Sequence, residues 1–293
     1  MKKEKTVKLS NKSQWGMIIF RFRKNKLAMV GMAVIALLMA LSLSASLYIN
    51  YEDVYTQSMA ERFIAPFQGT EHILGTDQYG RDFFARIIYG GRISLLASMG
   101  VVMISLAVGV VIGGCAGYFG GKVDNVLMRI CDVFMAVPRM LLSMAVVSAL
   151  GQGTFKMLIA LSLAQFPQFA RTVRASIITL RSQEYVEAAK CCGTSSARII
   201  FKHVVPNGLG PVIVSATLAL GSTILAISSL GFLGIGVASP TPEWGTILSE
   251  NRTNIRYYPY LGLVPGIFIA LSVMCLNFMG DGLRDALDPR TKN

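Results

Sequence analysis

The chain has 293 residues, of which 53% are hydrophobic and only 15% charged, and its formal net charge is +12. Soluble domains carry about 25% charged residues, so this composition excludes an ordinary water-soluble protein. The basic residues lie in short segments between apolar runs, which is typical of membrane topology rather than of nucleic-acid binding. The five cysteines have no CxxC or metal-ligand spacing, so the sequence predicts neither a disulfide framework nor a zinc site.

The N-terminal part predicts a basic membrane-surface segment followed by a membrane anchor. Residues 1–26 contain nine Lys or Arg with aromatic residues among them, which suits contact with anionic lipid at an interface. Residues 27–49 are uncharged and form a helix of about 35 Å, enough to cross a hydrocarbon core of roughly 30 Å. This run is longer than the apolar part of a signal peptide, so we predict an uncleaved first transmembrane helix.

Residues 50–92 form the longest polar segment and contain the sequence LGTDQYGRD at 74–82. Thr76 and Asp77 are typical turn and cap residues. A short helix should follow and end at the adjacent glycines Gly90 and Gly91. The pattern lacks GxxxxGK[ST], so we predict a structural bend on the outer membrane face rather than a phosphate-binding loop.

Five further spans are predicted, which makes six transmembrane helices in an all-α polytopic membrane protein. Gly109, Gly113 and Gly117 recur every four residues in the second span and predict a close helix–helix contact. The glycine-rich stretch 231–236 is expected to loosen the fifth span. The five spans are placed at 93–119, 126–150, 155–176, 209–237 and 260–279.

The distribution of basic residues predicts the orientation. With the N-terminus inside, the cytoplasmic segments hold 20 Lys or Arg and the outer segments hold 7. This asymmetry favours both termini in the cytoplasm.

The segment 182–207 is too polar to cross a bilayer and reads as two short helices joined at a hinge. Ser182 is a candidate N-cap for the first helix, and Gly193 suits a left-handed residue at its end. Thr194 is a candidate cap for the second helix, which Pro206 should stop. The orientation above places this segment in the cytoplasm.

Three motifs carry a resemblance to a known family. Glu187-Ala188-Ala189, followed by Gly193 and by the sequence HVVPN at 203–207, resembles the EAA loop of ABC-importer permeases. LGTDQYGRD and the C-terminal GDGLRDALDPR at 280–290 resemble signatures of the dipeptide/oligopeptide/nickel branch. The similarity covers nearly the whole chain and implies the type I importer permease fold with an extra N-terminal helix.

The resemblance also implies a division of the chain. The N-terminal segment 1–26 and the tail 280–293 are then cytoplasmic. The helix at 27–49 and the extracytoplasmic segment 50–92 precede a five-helix transport core at 93–279, which includes the loop 182–207.

In that family the EAA loop is a coupling helix that docks on a cytoplasmic ATPase subunit. The implied partners are a homologous second permease subunit, two ATPase subunits, a solute-binding protein outside the cell and membrane lipid, with no nucleic acid. The location implied is the bacterial cell membrane. The residues of the coupling site are Glu187, Ala188, Ala189, Gly193, His203, Pro206 and Asn207.

The chain has no motif for chemistry of its own. It lacks a Walker A sequence, HExxH and GxSxG, and its only histidines, His72 and His203, lie on opposite predicted sides. We therefore predict that it is not an enzyme, that it binds no metal or cofactor, and that ATP is used by the partner subunits.

Arg139 follows Pro138 near the middle of the third predicted span. An unpaired charge there costs about 2.5–3.5 kcal/mol on insertion scales, so it needs a partner or a watery path. A pair with Asp132 is awkward because the two lie two turns apart, and Arg129 suits Asp132 better. Related permeases usually carry a small or apolar residue here, so Arg139 is a candidate for the translocation path.

The function expected is that of a permease subunit forming half of the path for di- and oligopeptides in an ATP-driven importer. A nickel or metal-chelate importer is the alternative, since the same motifs serve both. A secondary transporter is a more distant alternative, because only Asp132 and Arg139 are candidate intramembrane ionisable groups. The solute itself is not encoded in these motifs.

Overall fold

The computed structural model describes residues 14–68 and 72–287, and the side chains of Gln14 and Trp15 are not among what it describes. The basic residues predicted at the membrane surface before residue 14 lie outside the described residues, as does the end of the C-terminal motif from residue 288. Within the described part the chain is helical, and its one β pairing is an isolated bridge between Thr76 and Asp82.

The helices follow one another with short connections. Short 3₁₀ turns lie at Ala45–Leu47, Tyr51–Val54 and Met59–Glu61. The α-helices are α1 (Gln14–Lys24), α2 (Lys26–Leu43), α3 (Phe83–Phe119), α4 (Gly121–Met135), α5 (Arg139–Leu150), α6 (Thr154–Leu180), α7 (Glu184–Cys191), α8 (Ser196–Arg198), α9 (Val205–Asn207), α10 (Leu209–Phe232), α11 (Trp244–Asn251) and α12 (Tyr260–Leu287), with a π-helical turn at Ile199–Val204 between α8 and α9.

Four of the described helices, α2, α3, α10 and α12, are long and apolar enough to cross a membrane, and the bent pair α4–α5 makes a fifth crossing if it counts as one span. The remaining predicted span, 155–176, lies within α6. That helix has 27 residues and is about 40 Å long, but it is less apolar and carries Arg171 and Arg174. The chain is therefore an all-α, multi-pass membrane protein.

The third span is not the single helix predicted at 126–150. The chain breaks between Met135 and Arg139, and α4 and α5 meet at an angle of 83°. Pro138 explains the break, because proline has no N–H to donate and disfavours helical geometry in the residue before it. Arg139 consequently begins α5 at the bend instead of lying inside a straight helix.

The glycines Gly90 and Gly91 do not end a short helix as predicted. The helix that begins at Phe83 runs through them as the first part of α3. A Cβ atom on Gly91 would lie 2.7 Å from Ser42 Oγ and 2.9 Å from a ring carbon of Trp244. These glycines therefore serve close packing against α2 and α11 and leave the helix intact.

The close contact predicted for Gly109, Gly113 and Gly117 is confirmed, and its partner is α6. A Cβ on Gly109 would come within 2.5 Å of Phe169 Cβ, and one on Gly113 within 2.3 Å of the Ala170 carbonyl oxygen. The predicted loosening after the fifth span is also confirmed, since α10 ends at Phe232 and Gly234 adopts φ +75°.

Candidate functional site

The polar segment 182–207, here called the elbow, packs one face on the helices and exposes the other. Val186 on α7 is fully buried, together with Ile199, Ile200 and Val204 of the π-helical turn. They pack on side chains of α6 and α10, including Val173 and Val212. The apolar side of the elbow thus fixes it to the two long helices that it connects.

Gly193 forms the hinge that the sequence predicts. Its φ is +73°, and the Gly193 N–H donates to the Lys190 carbonyl at 2.9 Å while the Thr194 N–H donates to the Ala189 carbonyl at 3.1 Å. No atom lies within 4 Å of a Cβ built on Gly193. Glycine is therefore required here for its backbone conformation, not for space.

Three other details of the elbow prediction are wrong. The N-cap positions are Gln183 and Ser195 instead of Ser182 and Thr194, and neither side chain makes a capping hydrogen bond. Pro206 does not end the second helix but lies in the first turn of α9, where its missing N–H is tolerated. The chain then continues through Gly208 into α10.

The predicted site residues occupy different levels of this surface. Glu187 and Ala188 are exposed on α7, and Ala189 is half-buried against the apolar side. Gly193, Pro206 and Asn207 are exposed, and His203 is half-buried. The Asn207 side-chain amide donates to the His203 carbonyl at 2.7 Å, so the end of the elbow is locally braced.

Ion pairs attach the helix that leads into the elbow. Arg174 of α6 makes two hydrogen bonds to the Asp124 carboxylate of α4, and Arg171 bonds Asp132 at 2.5 Å. The Arg181 guanidinium donates to the Gly117 carbonyl at 3.2 Å. The expected Arg129–Asp132 pair is therefore wrong, because Asp132 turns to another helix.

Arg139 is exposed at the bend between α4 and α5. Its carbonyl oxygen accepts a hydrogen bond from the Ser143 hydroxyl at 2.9 Å. Its guanidinium forms no ion pair with any residue that the structure describes. The awkward pairing with Asp132 is not made.

A second polar site lies at the N-terminal end of α3. It is about 55 Å along the helix from the C-terminal end, which lies on the elbow side. The ionic cluster of Asp77, Arg81, Arg86 and Glu250 is almost fully buried. Arg81 Nε bonds Asp77 Oδ2 at 2.6 Å, and Glu250 Oε2 accepts from Arg81 at 2.6 Å and from Arg86 at 2.8 Å. The cluster therefore ties the LGTDQYGRD segment and the start of α3 to α11.

The roles predicted for Thr76 and Asp77 are divided among three residues. Asp82 caps α3 by accepting the Ala85 N–H at 2.7 Å, whereas Asp77 uses Oδ1 to accept the N–H groups of Tyr79 and Arg81. The Thr76 hydroxyl holds the preceding loop through the Ile64 N–H and the Glu61 carbonyl. Motif spacing located this turn but not its partner Glu250.

Tyr55, a phenol beside the cluster, has a shifted pKa. Burial, together with a 2.8 Å hydrogen bond between the two tyrosine hydroxyls, raises the pKa of Tyr55 beside Tyr51 to about 12. The Tyr55 hydroxyl therefore keeps its proton at alkaline pH values near 10, where an ordinary tyrosine begins to ionise.

Glu243 fixes the start of α11, and its role was not predicted. Its carboxylate accepts the N–H groups of Gly245 and Thr246 at 2.9 Å and the hydroxyls of Ser94 and Ser228. The adjacent Trp244 is 1% exposed and donates from its indole to the Ile87 carbonyl at 3.0 Å. The Trp244 ring fills the space left by Gly90 and Gly91.

Metal chemistry has no support in the described residues. No group of three or more His, Cys, Asp or Glu side chains in the described part of the chain is placed to hold a metal ion.

Two family descriptions match the chain. Residues 109–293 match the family described as "Binding-protein-dependent transport system inner membrane component". Residues 13–66 match "N-terminal TM domain of oligopeptide transport permease C". The first match covers more than half of the chain and includes the whole elbow.

Similar proteins cover almost the full length. Dipeptide transport system permease protein DppC of Alkalihalophilus pseudofirmus is 42% identical, over 96% of this chain and 91% of the relative. Oligopeptide transport system permease protein OppC of Bacillus subtilis is 37% identical, over 97% and 93%. Glutathione transport system permease protein GsiD of Escherichia coli is 37% identical, over 96% and 92%.

A solved structure shares the fold. A chain of the inward-facing MetNI methionine ABC transporter superposes with a TM-score of 0.56 at 18% identity, covering 69% of this chain and 96% of that chain. At this identity the likeness shows the fold alone.

The ionic cluster makes a stability prediction. Glu250→Gln keeps the shape of the side chain but removes its charge, so that Asp77 is the one acid left beside Arg81 and Arg86. Breaking a buried ion pair lowers the free energy of unfolding by about 3–5 kcal/mol. We expect a clearly lower thermal unfolding temperature for the purified protein in detergent. Glu52→Gln removes an exposed acid from the segment 50–92, which also carries Asp77 and Arg81, and it should change the unfolding temperature little. Adding Arg86→Met to Glu250→Gln should recover part of the loss; equal unfolding temperatures for wild type and Glu250→Gln would contradict this role.

Proposed function

The chain belongs to the family of binding-protein-dependent transport system inner membrane components, and from this membership we propose that it is one of two membrane-spanning subunits of an ATP-driven importer of short peptides. The observation that carries the proposal is the elbow. Its apolar side is packed on α6 and α10 while Glu187, Ala188 and Gly193 face outward, as a surface that receives force from another subunit requires.

The elbow is suited to transmit motion between a docked ATPase and the membrane helices. Ala188 permits close approach of a partner, and Glu187 offers a directional polar contact. Ion pairs from Arg171 and Arg174 and the Arg181 hydrogen bond attach α6 to α3 and α4. A displacement of the elbow would therefore move several helices together, which is the kind of rigid-body change that switches a transporter between two states.

The names of the relatives support peptides as the solute. DppC, OppC and GsiD are named for dipeptide, oligopeptide and glutathione transport, and each is similar over more than nine-tenths of this chain. None of these three is named for nickel, so a nickel or metal-chelate importer is the weaker proposal. A secondary transporter does not fit the family.

The proposed assembly contains a homologous second permease subunit, two ATPase subunits and an extracytoplasmic solute-binding protein. The relatives are permease components, so ATP hydrolysis is assigned to the partner subunits. The excess of Lys and Arg in the segments on the elbow side supports a cytoplasmic elbow and cytoplasmic termini in a bacterial plasma membrane.

Arg139 is proposed to line the translocation path. It lies at the bend between α4 and α5 with an exposed, unpaired guanidinium among the described residues. A charge in this position is tolerated where it faces water, and a positive group there would attract the carboxylate of a passing peptide.

The first functional prediction concerns coupling. Valine resists the φ of +73° found at Gly193, and such backbone strain costs about 1–3 kcal/mol. We therefore expect Gly193→Val to assemble with its partners. In proteoliposomes, the binding protein should no longer stimulate its ATPase activity, and its ATP-driven peptide uptake should fall roughly tenfold. Glu187→Lys should have the same effect by removing the docking contact. Gly193→Asn is the matched control, because asparagine tolerates this conformation. Normal uptake by Gly193→Val would refute the proposal that coupling requires the backbone conformation of Gly193.

The second functional prediction concerns orientation. With the exposed Cys191 and Cys192 replaced by serine, Gln68→Cys should react with an impermeant thiol reagent added outside intact cells. Ser195→Cys should react only after the cells are permeabilised. The reverse pattern would place the elbow outside and remove the basis for ATPase docking.

The third functional prediction concerns Arg139. Arg139→Met removes the charge but keeps the length of the side chain, so membrane insertion should be unharmed. Uptake of free-acid dipeptides should slow, uptake of C-terminally amidated ones should slow less, and coupled ATPase activity should persist. Equal slowing of both peptides, or loss of the partner permease from the purified complex, would indicate a structural role instead.

A further inference from the structure

A cavity of about 450 Å³ lies where α11, the loop after α10 and the end of α5 meet. Glu250 contributes to its wall, so the cavity is at the same end of the molecule as the ionic cluster and opposite the elbow. Under the proposed orientation this is the face to which a binding protein delivers its solute. Its size falls within the roughly 300–1,000 Å³ of small-molecule sites.

Most polar groups in the cavity wall are already engaged in holding the wall together. The Gln152 amide donates to the Gly234 carbonyl at 2.6 Å, and the Ser239 hydroxyl donates to Glu250 Oε1 at 2.5 Å. The Thr246 hydroxyl is shared between Glu243 and the Val237 carbonyl. These contacts build the cavity but leave these groups little capacity for a ligand.

The acid in the wall is also neutralised. Glu250 Oε2 accepts hydrogen bonds from Arg81 and Arg86, and Asp77 supplies the second negative charge of the ionic cluster. Two acids and two arginines leave the cluster without net charge. The cavity is therefore not an attractive site for a cation.

Three side chains in the wall are free to bind a ligand. Ser249, Arg252 and Thr253 line the cavity, and their side chains make no hydrogen bond or ion pair with any residue that the structure describes. The backbone of Arg252 is still helical, with φ −53° and ψ −34°, so this i, i+3, i+4 spacing places the three on one face. They offer two hydroxyls and a guanidinium fork around a single net positive charge.

We propose that Ser249, Arg252 and Thr253 form an entry site for the carboxylate of the incoming peptide. A guanidinium binds a carboxylate through two parallel hydrogen bonds, and neighbouring hydroxyls complete the donor set. The identity of the solute as a peptide rests on the proposed function, whereas the preference of the cavity for an anion rests on these residues alone.

Two other roles for Arg252 give different results in the same experiment. A cation at the end of α11 complements the negative end of the helix, which would require no ligand. Arg252 would also suit an acidic side chain of a docked binding protein. Both roles share the charge of Arg252, so the test must separate a small anion in the cavity from a structural or protein contact.

The test uses Leu233→Cys in the purified transporter complex with Cys191 and Cys192 replaced by serine. Leu233 lines the cavity, is 51% exposed and contributes no polar group to the proposed site. The rates of its modification by an anionic sulfonate and by a cationic trimethylammonium methanethiosulfonate are compared in detergent, where membrane orientation plays no part. We expect the anionic reagent to be favoured, and Arg252→Gln to lower the ratio of the two rates roughly fivefold, as expected for loss of one charge within several ångströms.

Arg256→Gln is the matched control. Arg256 is exposed in the same segment but does not line the cavity, so its removal should leave most of the charge preference intact. A charge preference that does not depend on Arg252, or that depends equally on Arg256, would overturn the proposal.

Protection by ligand identifies the anion. Dialanine should slow the labelling of Leu233→Cys, its C-terminal amide should not, and the protection should disappear in Arg252→Gln and weaken in Ser249→Ala/Thr253→Val. Equal protection by both compounds, or protection only by the ligand-free binding protein, would overturn the site. Failure of the wild-type complex to import any peptide, with the charge preference retained, would refute the proposed function and not the anion site.

Discussion

The rest of the structure depends on how closely α3 approaches α6. Apolar helices gain no hydrophobic stabilisation from one another in lipid, so packing and hydrogen bonds decide where they meet. At Gly109 and Gly113 the space that a Cβ would need is occupied by Phe169 and by the Ala170 backbone. This contact fixes α6, and α6 in turn holds α4 through its two arginines and presents the elbow at its end. The position of the exposed face of the elbow therefore follows from glycines that lie far from it.

At the opposite end of α3, buried charged groups and their hydrogen bonds hold the structure together. The eight-residue helix α11 is too short to be stable alone, and two buried carboxylates anchor it. Glu243 is satisfied by backbone amides and serine hydroxyls, whereas Glu250 is satisfied by two guanidinium groups. A buried charge is tolerated only when its partners are this complete. The result is a rigid wall for the neighbouring cavity, built from segments distant in sequence.

Sequence patterns correctly predicted the features that depend on residues close together in the chain. The apolar runs located the long helices, the four-residue glycine repeat located the α3–α6 contact, and Gly193 located the hinge. The pairing of charges could not be read in the same way, because Asp132 meets Arg171 on another helix and Arg81 meets Glu250 across most of the chain. The prediction that Gly90 and Gly91 end a helix was wrong for a related reason. Only the position of Trp244, which is distant in sequence, shows that these glycines allow close packing.

The charges on α4 also have a consequence for how the protein is made. Asp124 and Asp132 lie on a segment that enters the membrane before its partners Arg174 and Arg171 have been synthesised. Asp132 lies within the predicted third span, where an acid without a partner is costly in lipid, whereas Asp124 precedes that span. The bent segment α4–α5 therefore gains little by moving into lipid on its own. The two ion pairs can form only after α6 has been synthesised, so this part of the helix packing is completed late in the synthesis of the chain.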